Sequence, residues 1–330
     1  MNKKNQKNQN KIKVGIVICT LNCKDMLEIC LKSIQKQDAT ELDIKVYCPD
    51  SDSTDGTIDI INKYSAVLIG GLPKGYMEGI GGPKSLGVDR AIADGCDYIF
   101  TIDSDNELIG TDWLQKMIMP MEKDPTISFC ICRMLIDKSD PLINQICSFT
   151  GTDQFATFKS LDPLITLGKI PLIDCGDYWT HNMTLDNLRI FGGYYTVYRR
   201  KTIEAIGGHY LRDVDNGYVM AEKGICKFGM PKECYIHHRQ ASSFWGHIKK
   251  KYKWGKYYFE KGKENRKFNW TEDKSAFNWQ IIRCLLFIPD FLLSIRMLIK
   301  YKNKSWLLYA PLSWLTTLTY ILASLKIKLT

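Results

Sequence analysis

The stretch CDYIFTIDSDNELIG, residues 96–110, decides how this chain is read, because a hydrophobic run of strand length ends there in two acids. Asp103 and Asp105 stand either side of a single serine. A carboxylate pair at i and i+2 of a strand terminus points both groups to one side where the chain bends. Hard divalent cations prefer oxygen ligands, and Mg²⁺ or Mn²⁺ takes about one or two carboxylates together with substrate phosphate oxygens. The competing reading is a solvated turn or a helix cap, since Asp and Ser dominate turns in general. The residues upstream separate the two.

KVGIVIC (residues 13–19) is a continuous apolar run, as expected of a parallel strand buried on both faces. Beyond TLN, residues 23–37 place Leu27, Cys30, Leu31 and Ile34 at i, i+3, i+4 and i+7, a helix with one apolar stripe and Asn22 as its expected N-cap. LDIKVYC (42–48) reads as a second strand, PDSDSTDGT (49–57) as a turn, and IDIINKY (58–64) as a helix. A Gly/Pro-rich loop (70–85) and the short helix LGVDRAIADG (86–95) lead into the acidic strand. Strand–helix alternation at this spacing predicts a doubly wound α/β sheet. Ligands of such sheets bind beyond the C-terminal strand ends, which places Thr20, Asp50 and Asp103 on one rim. With the acids on that rim, the turn reading recedes.

The bulk numbers agree with a globular enzyme-sized chain: 330 residues, 45% hydrophobic and 25% charged. The net charge of +9 is concentrated, with nine Lys or Arg against two Glu between residues 249 and 267. Twelve cysteines lie scattered through apolar runs without CxxC or Cys/His ligand spacing, the pattern of free thiols in a reducing cytosol. The first residues are polar and Lys/Asn/Gln-rich, a solvated tail rather than a signal peptide. Three parts are expected. They are a polar tail (1–12), a catalytic domain (13–245, with a nucleotide-binding half 13–110 and an acceptor half 111–245), and a basic-aromatic and membrane-associating segment (246–330).

VGIVICTLN, CPDSDSTDGT and GGPKSLGVDRAIADGCDYIFTIDSD, taken in order, resemble the successive blocks of family 2 glycosyltransferases of the GT-A fold. The similarity runs from Lys13 to the region of His238, about two-thirds of the chain. It implies a GT-A type, Rossmann-like nucleotide-sugar-binding domain with a mixed central sheet, and transfer of a sugar from a nucleotide-diphosphate sugar, usually with inversion. It also implies base and ribose contacts by Thr20, Asn22 and Asp50, a place near the diphosphate for Lys84, and a Mg²⁺ or Mn²⁺ ion on Asp103 and Asp105. Where the family often carries a second base-contacting acid, this chain has Ser51, which leaves the base open. Metal chemistry suits the reaction on independent grounds, because a leaving diphosphate develops negative charge that a cation stabilises.

An inverting displacement also needs a general base near the acceptor hydroxyl. The segment from Arg189 to Arg239 is similar to the family's acceptor-side block, in which Asp213 stands eleven residues before Gly224. Asp213 is the expected base, with Asp215 as competitor or partner. Helix N-capping is the alternative for both, since acids favour a first helical turn. His237 and His238 close a strand on the same rim and, being adjacent, point to opposite faces, so one of them reaches the site. His237 is favoured as the metal-side histidine, and neighbouring Arg239 as a phosphate contact. Trp179, His181, Asp174 and Asp177 are candidates for the sugar or acceptor pocket.

HIKKKYKWGKYYFEKGKENRKFNW (247–270) interleaves cations with aromatics. Nucleic-acid binding and a solvated helix both fit that composition, but an anionic membrane surface fits better with the two long apolar stretches that come next in the chain. By the family resemblance Trp254 covers the donor site. The Q-x-x-R-W block of processive synthases is not matched here. Residues 279–300 are apolar but contain Arg283, Pro289, Asp290 and Arg296, and a charge in hydrocarbon costs about 2.5–3.5 kcal/mol, so an interfacial helix is expected. Residues 305–325 are long enough to cross a bilayer, about 20 being needed. A monotopic hairpin on the cytoplasmic face of the cell membrane is the favoured arrangement, with soluble core helices as the alternative.

The sequence is thus read as a membrane-associated, metal-dependent glycosyltransferase acting on a lipid-linked or glycan acceptor, with no nucleic-acid partner. A polyprenyl-phosphate acceptor and an inactive scaffold homologue are the alternatives. A nucleotidyltransferase would need a Gly-rich loop after the first strand, and CTLNCKD has none.

Overall fold

A computed structural model of the protein describes residues 11–71, 82–193, 195–262, 266–268 and 274–329. Most of the polar tail, the middle of the Gly/Pro-rich loop and parts of the basic segment lie outside the described residues.

The alternating half comprises β1 (Ile12–Cys19), α1 (Lys24–Gln35), β2 (Leu42–Pro49), α2 (Thr57–Lys63), β3 (Val67–Ile69), α3 (Pro83–Ala93) and β4 (Tyr98–Asp103). Its four strands are parallel in the order β3-β2-β1-β4. Val14, Ile16, Val17, Ile99, Phe100 and Ile102 are all fully buried, as unbroken apolar strands between two helical layers must be. The helix in front of β4 begins earlier than its apolar pattern suggests, with Pro83 in its first turn, where proline's missing N–H costs nothing. Gly87 lets α3 lie directly on the sheet, since a Cβ there would stand 2.4 Å from Val17.

The next elements are β5 (Asn106–Leu108), α4 (Trp113–Lys123), β6 (Phe129–Ile131), β7 (Arg133–Met134), α5 (Leu142–Thr150), α6 (Leu161–Thr166), β8 (Ile173–Asp174) and β9 (Tyr178–Asn182). They are followed by β10 (Tyr195–Arg199), α7 (Arg200–Ala205), α8 (Asp213–Glu222), β11 (Lys227–Pro231) and β12 (Tyr235–His238). β10 inserts antiparallel between β4 and β6, and the sheet continues through β11, β9 and β8 to nine strands. The fold is therefore a GT-A-type α/β arrangement whose parallel nucleotide-side half continues into a mixed half. A small second sheet, β5-β12-β7, stands at the C-terminal end of β4 and carries both histidines.

The first helix is not capped by Asn22. Asn22 adopts a left-handed backbone (φ 47°), and its side chain accepts the Thr54 N–H at 2.9 Å. The loop before α2 caps α1 instead: Thr57 Oγ1 accepts the Cys23 N–H at 2.9 Å, and Asp55 accepts that of Lys24 at 3.1 Å. Loops at neighbouring strand ends thus lock each other.

The C-terminal layer consists of α9 (Phe244–Tyr257), a π turn (Tyr258–Gly262), α10 (Lys274–Leu285), α11 (Ile288–Tyr301) and α12 (Tyr309–Leu329). It shares a second core with α5, built from Ile143, Ile146, Cys147, Met297, Trp306 and Leu312. The apolar stretch 279–300 is two helices, broken at Phe287 (φ 61°) and restarted over Pro289. Two of its internal charges turn inward: Arg283 Nη1 meets Asp290 Oδ1 at 2.8 Å, and Ser313 Oγ of α12 donates to Asp290 Oδ2 at 2.6 Å, while Arg296 is exposed. Asp290 is fully buried, so this pair joins α10, α11 and α12. Residues Lys304–Ile327 form a helical segment long and apolar enough to cross a membrane, and 44% of an 18-residue apolar stretch within it is buried against the protein.

Removing one partner of a buried ion pair strands the other charge, at a cost of about 3–5 kcal/mol. Arg283→Met is therefore expected to lower unfolding stability by about that amount in urea titrations, and adding Asp290→Leu should recover most of it. Equal loss in the single and double variants would show that the pair does not hold the layer together.

Candidate active site

The rim expected from strand order is present as geometry. Cys19 and Asp103 are register partners at the ends of β1 and β4, and Thr20 bridges Asp50 just beyond β1 and β2. Thr20 and Asp50 are buried and tied together: Thr20 Oγ1 donates to Asp50 Oδ1 at 2.8 Å, and Ser53 N–H and Oγ donate to the same carboxylate at 2.8 and 2.6 Å. With Asn22 holding Thr54, these residues shape the turn that ends β2. The side chains therefore build the rim, while the exposed Leu21 and Asn22 stand at its mouth.

Four polar side chains converge at the end of β4. Asp103, Asp105 and His238 bring ligand atoms within 4.8 Å of one another, and His238 Nε2 stands 3.2 Å from Asp105 Oδ1. The backbone N–H of Arg239 donates to the Asp105 carbonyl at 2.9 Å, which fastens the DSD turn to the end of β12. Desolvation pushes the Asp103 carboxyl above its ordinary range, with Lys84 opposing this and the Asp105 charge adding to it. Desolvation acts on Asp105 as well, but His238, with Lys250 behind it, outweighs it and holds that carboxyl below its ordinary range. Two carboxylates forced together beside an imidazole are the donor set that suits a hard or borderline divalent cation such as Mg²⁺ or Mn²⁺.

Lys84, at the start of α3, is the fourth group and spans the site. Its Nζ lies 3.7 Å from Asp103 Oδ1 and 3.6 Å from Asp213 Oδ1. Asp213 opens α8 with about a third of its side chain exposed (34%). Desolvation raises its carboxyl, but Lys84, the Tyr210 hydroxyl and the Gly193 N–H together bring it below the ordinary carboxylate range. Asp213 is therefore ionised at neutral pH and open to solvent, as a proton acceptor must be.

Several expectations are corrected by the geometry. His237 points the other way from the acids, into Asp140 at 2.8 Å, because β12 pairs with β5 so that His238 comes to stand over Asp105. Asp215 is buried and accepts the backbone N–H groups of Lys267 and Phe268 at 3.1 and 3.0 Å, so it clamps the C-terminal segment rather than facing the site. Arg239 turns its Nη2 to Glu107 at 2.7 Å. Asp174 and Asp177 pair with Lys232 and Lys123 at the far sheet edge, beside Trp179 and His181 on β9. That strand is four places from β4, about 19 Å at the usual strand spacing. Trp254 lies on α9, partly exposed, with the Lys250 and Lys251 ammonium groups 5.2 and 4.7 Å from its ring. All twelve cysteines are free, and Cys175 alone is exposed.

The profile of "Glycosyl transferase family 2" matches residues 15–207. A poly(ribitol-phosphate) beta-glucosyltransferase of Bacillus spizizenii is 34% identical over 106 residues, 32% of this chain but only 16% of that protein's length. Among solved structures, the Pyrobaculum calidifontis mannosyltransferase PcManGT, in complex with GDP-Man and Mn²⁺, aligns with a TM-score of 0.49 and 14% identity over 95% of this chain and 88% of its own. Residues 1–349 of S. aureus TarS, in complex with UDP-GlcNAc, align with a TM-score of 0.47 and 15% identity over 96% and 92%.

The two histidines make the site testable without any substrate. His238→Ala is expected to weaken Mn²⁺ binding by at least ~10-fold in EPR titrations, while His237→Ala leaves it within about twofold. The reverse order would move the cation site to the other face of β12.

Proposed function

The chain belongs to glycosyl transferase family 2, and from that premise we propose that it transfers a sugar from a nucleotide-diphosphate sugar to an acceptor hydroxyl, with inversion and with Mg²⁺ or Mn²⁺ as cofactor. The observation that carries this reading is the convergence of Asp103, Asp105 and His238 opposite Asp213, with Lys84 between them. Asp103, Asp105 and His238 would hold the cation, which when bound supplies positive charge to the leaving diphosphate. Lys84 adds a second, permanent cation to the same place. Asp213, ionised and partly exposed, takes the proton of the acceptor hydroxyl as that oxygen attacks the anomeric carbon from the face opposite the leaving group. The loop held by Thr20, Asn22 and Asp50 forms the base and ribose end of the donor site, with Trp254 over its open side.

The acceptor is a glycan or a lipid-linked saccharide. The segment of similarity to a poly(ribitol-phosphate) enzyme makes a polyol-phosphate chain the first acceptor to try. In a donor screen with Mn²⁺, sugar transfer or slow donor hydrolysis is expected with one of the UDP, GDP or dTDP sugars. Asp105→Ala and Asp213→Asn should each lower transfer by about 10²-fold or more, and chelation should abolish it. Because Asp213 titrates below the ordinary carboxylate range, loss of function on the acid side is expected at a lower pH than for an ordinary carboxylate base. Binding of no nucleotide sugar at any metal concentration would sink the assignment.

Attachment to the cytoplasmic face of the cell membrane is part of the proposal. Trp279, Ile282, Leu286, Ile288, Phe291 and Leu292 are all exposed around the α10–α11 break. Between residues 274 and 330 there are eight Lys or Arg and one acid, Asp290, which Arg283 neutralises. An apolar ridge bordered by cations suits an anionic lipid surface. The protein is expected to co-sediment with vesicles containing phosphatidylglycerol more strongly than with neutral ones. Glutamate at both Leu286 and Ile288 should weaken that association by about tenfold or more.

A further inference from the structure

Tyr210 contributes the one side-chain hydroxyl hydrogen-bonded to Asp213 among the described contacts, and no role has been assigned to it. We propose that Tyr210 is a positioning residue for the Asp213 base: its phenol fixes one carboxylate oxygen so that the other is presented to the acceptor hydroxyl. The proposal rests on the reading of Asp213 as that base.

The geometry is specific. Tyr210 is 1% exposed, and its hydroxyl donates to Asp213 Oδ1 at 2.5 Å. Its ring packs edge-on against Tyr198 of β10, with centroids 6.0 Å apart, so the hydroxyl is aimed by the sheet rather than by a mobile loop. The short loop between Tyr210 and α8 is itself pinned, because Asn216 Oδ1 accepts the Leu211 N–H at 3.0 Å. Lys84 Nζ stands over the Tyr210 ring at 5.7 Å and addresses the same Oδ1. Space for this contact is reserved by Gly193, where a Cβ would stand 2.0 Å from the Tyr210 hydroxyl and 2.4 Å from Asp213 Oδ1. The Gly193 N–H also donates to Asp213.

A carboxylate that rotates freely about its Cβ–Cγ bond presents its basic oxygen in many directions, of which few suit transfer. Anchoring Oδ1 fixes the carboxylate plane and leaves Oδ2 to take the proton, a gain in orientation rather than in basicity. Burial raises the Tyr210 phenol well above its usual range, so it stays a donor at every working pH. A tyrosine that served packing alone would need only its ring, since the hydroxyl of a packing residue has no reason to meet the base.

Tyr210→Phe keeps the ring and removes the contact. Its kcat for transfer is expected to fall about tenfold, with the donor KM within about twofold of the parent and the melting temperature nearly unchanged. In an Asp213→Asn background the same change should cost nothing further, because Tyr210 acts through Asp213. If Tyr210→Phe unfolds the protein, p-aminophenylalanine at position 210 decides, because it keeps the ring and a donor in the same place: kcat within about threefold of the parent is expected, and a tenfold loss with that donor present overturns the role. Wild-type kcat in Tyr210→Phe, or equal losses with and without Asp213, overturns the positioning role and leaves the base intact. Full transfer by Asp213→Asn would instead overturn the reading on which the role stands.

Discussion

A single ammonium group between two carboxylates is the constraint around which this molecule is arranged. Asp103 and Asp213 arrive from different halves of the chain, one at the end of β4 and one at the start of α8, and Lys84 reaches both within 4 Å. Without a cation, three acids on one rim would repel one another at close range. The protein places one lysine between Asp103 and Asp213 and an imidazole beside Asp105, with the Lys250 charge also favouring the ionised form of Asp105. The divalent cation of the proposed function would add to these charges at the same place.

Holding Lys84 in place is work for the whole nucleotide-side half. The lysine sits in the first turn of α3, and α3 is seated on β1 and β2 only because Gly87 leaves room for Val17 and Pro49. A larger residue at that point would lift the helix and with it the ammonium group. Asp103 in turn is fixed by its register with Cys19, and the DSD turn by the backbone bond from Arg239. Packing in the sheet and charge at its rim are thus one design, in which the apolar layer sets distances that the electrostatics then uses.

How much of this could be read before any coordinates depends on whether the information is local. The parallel strands, the rim and the acids are local: continuous apolar runs, their lengths and the residues that end them are enough. Asp213 came into view through its distance from Gly224 in a familiar block. The choice between His237 and His238 could not, because alternation gives only that they oppose each other, while the pairing of β12 with β5 sets which one meets Asp105. Asp215 looked like a competitor since its two partners, the N–H groups of Lys267 and Phe268, lie more than fifty positions away. Asp174 and Asp177 lie away from the site for a similar reason: strand order past β4 runs out of sequence order, and carries β8 to the far edge with β9 beside it. The charges inside residues 279–300 give no sign in the sequence of how they are satisfied, because Arg283 meets Asp290 seven residues away across a helix break. Tyr210 had no signal of its own, although its place three residues before the candidate base could have raised the question.

The two acids that open α8 also explain why the C-terminal layer belongs to the same machine. Asp213 and Asp215 are two positions apart on one helix and so project in different directions. The first looks into the site. The second is buried against the segment at Lys267 and Phe268, where Phe268 stacks on Tyr218 one turn further along α8. On the opposite side of the acids, Lys250 of α9 contributes to the field at Asp105. The C-terminal layer therefore touches the catalytic rim at two points, one through backbone hydrogen bonds and one through charge. Residues 267 and 268 are hydrogen-bonded to the helix that carries the proposed base, two positions from Asp213. The surface that faces the membrane in the proposed arrangement belongs to this same layer, so docking and chemistry share a mechanical frame rather than occupying separate modules.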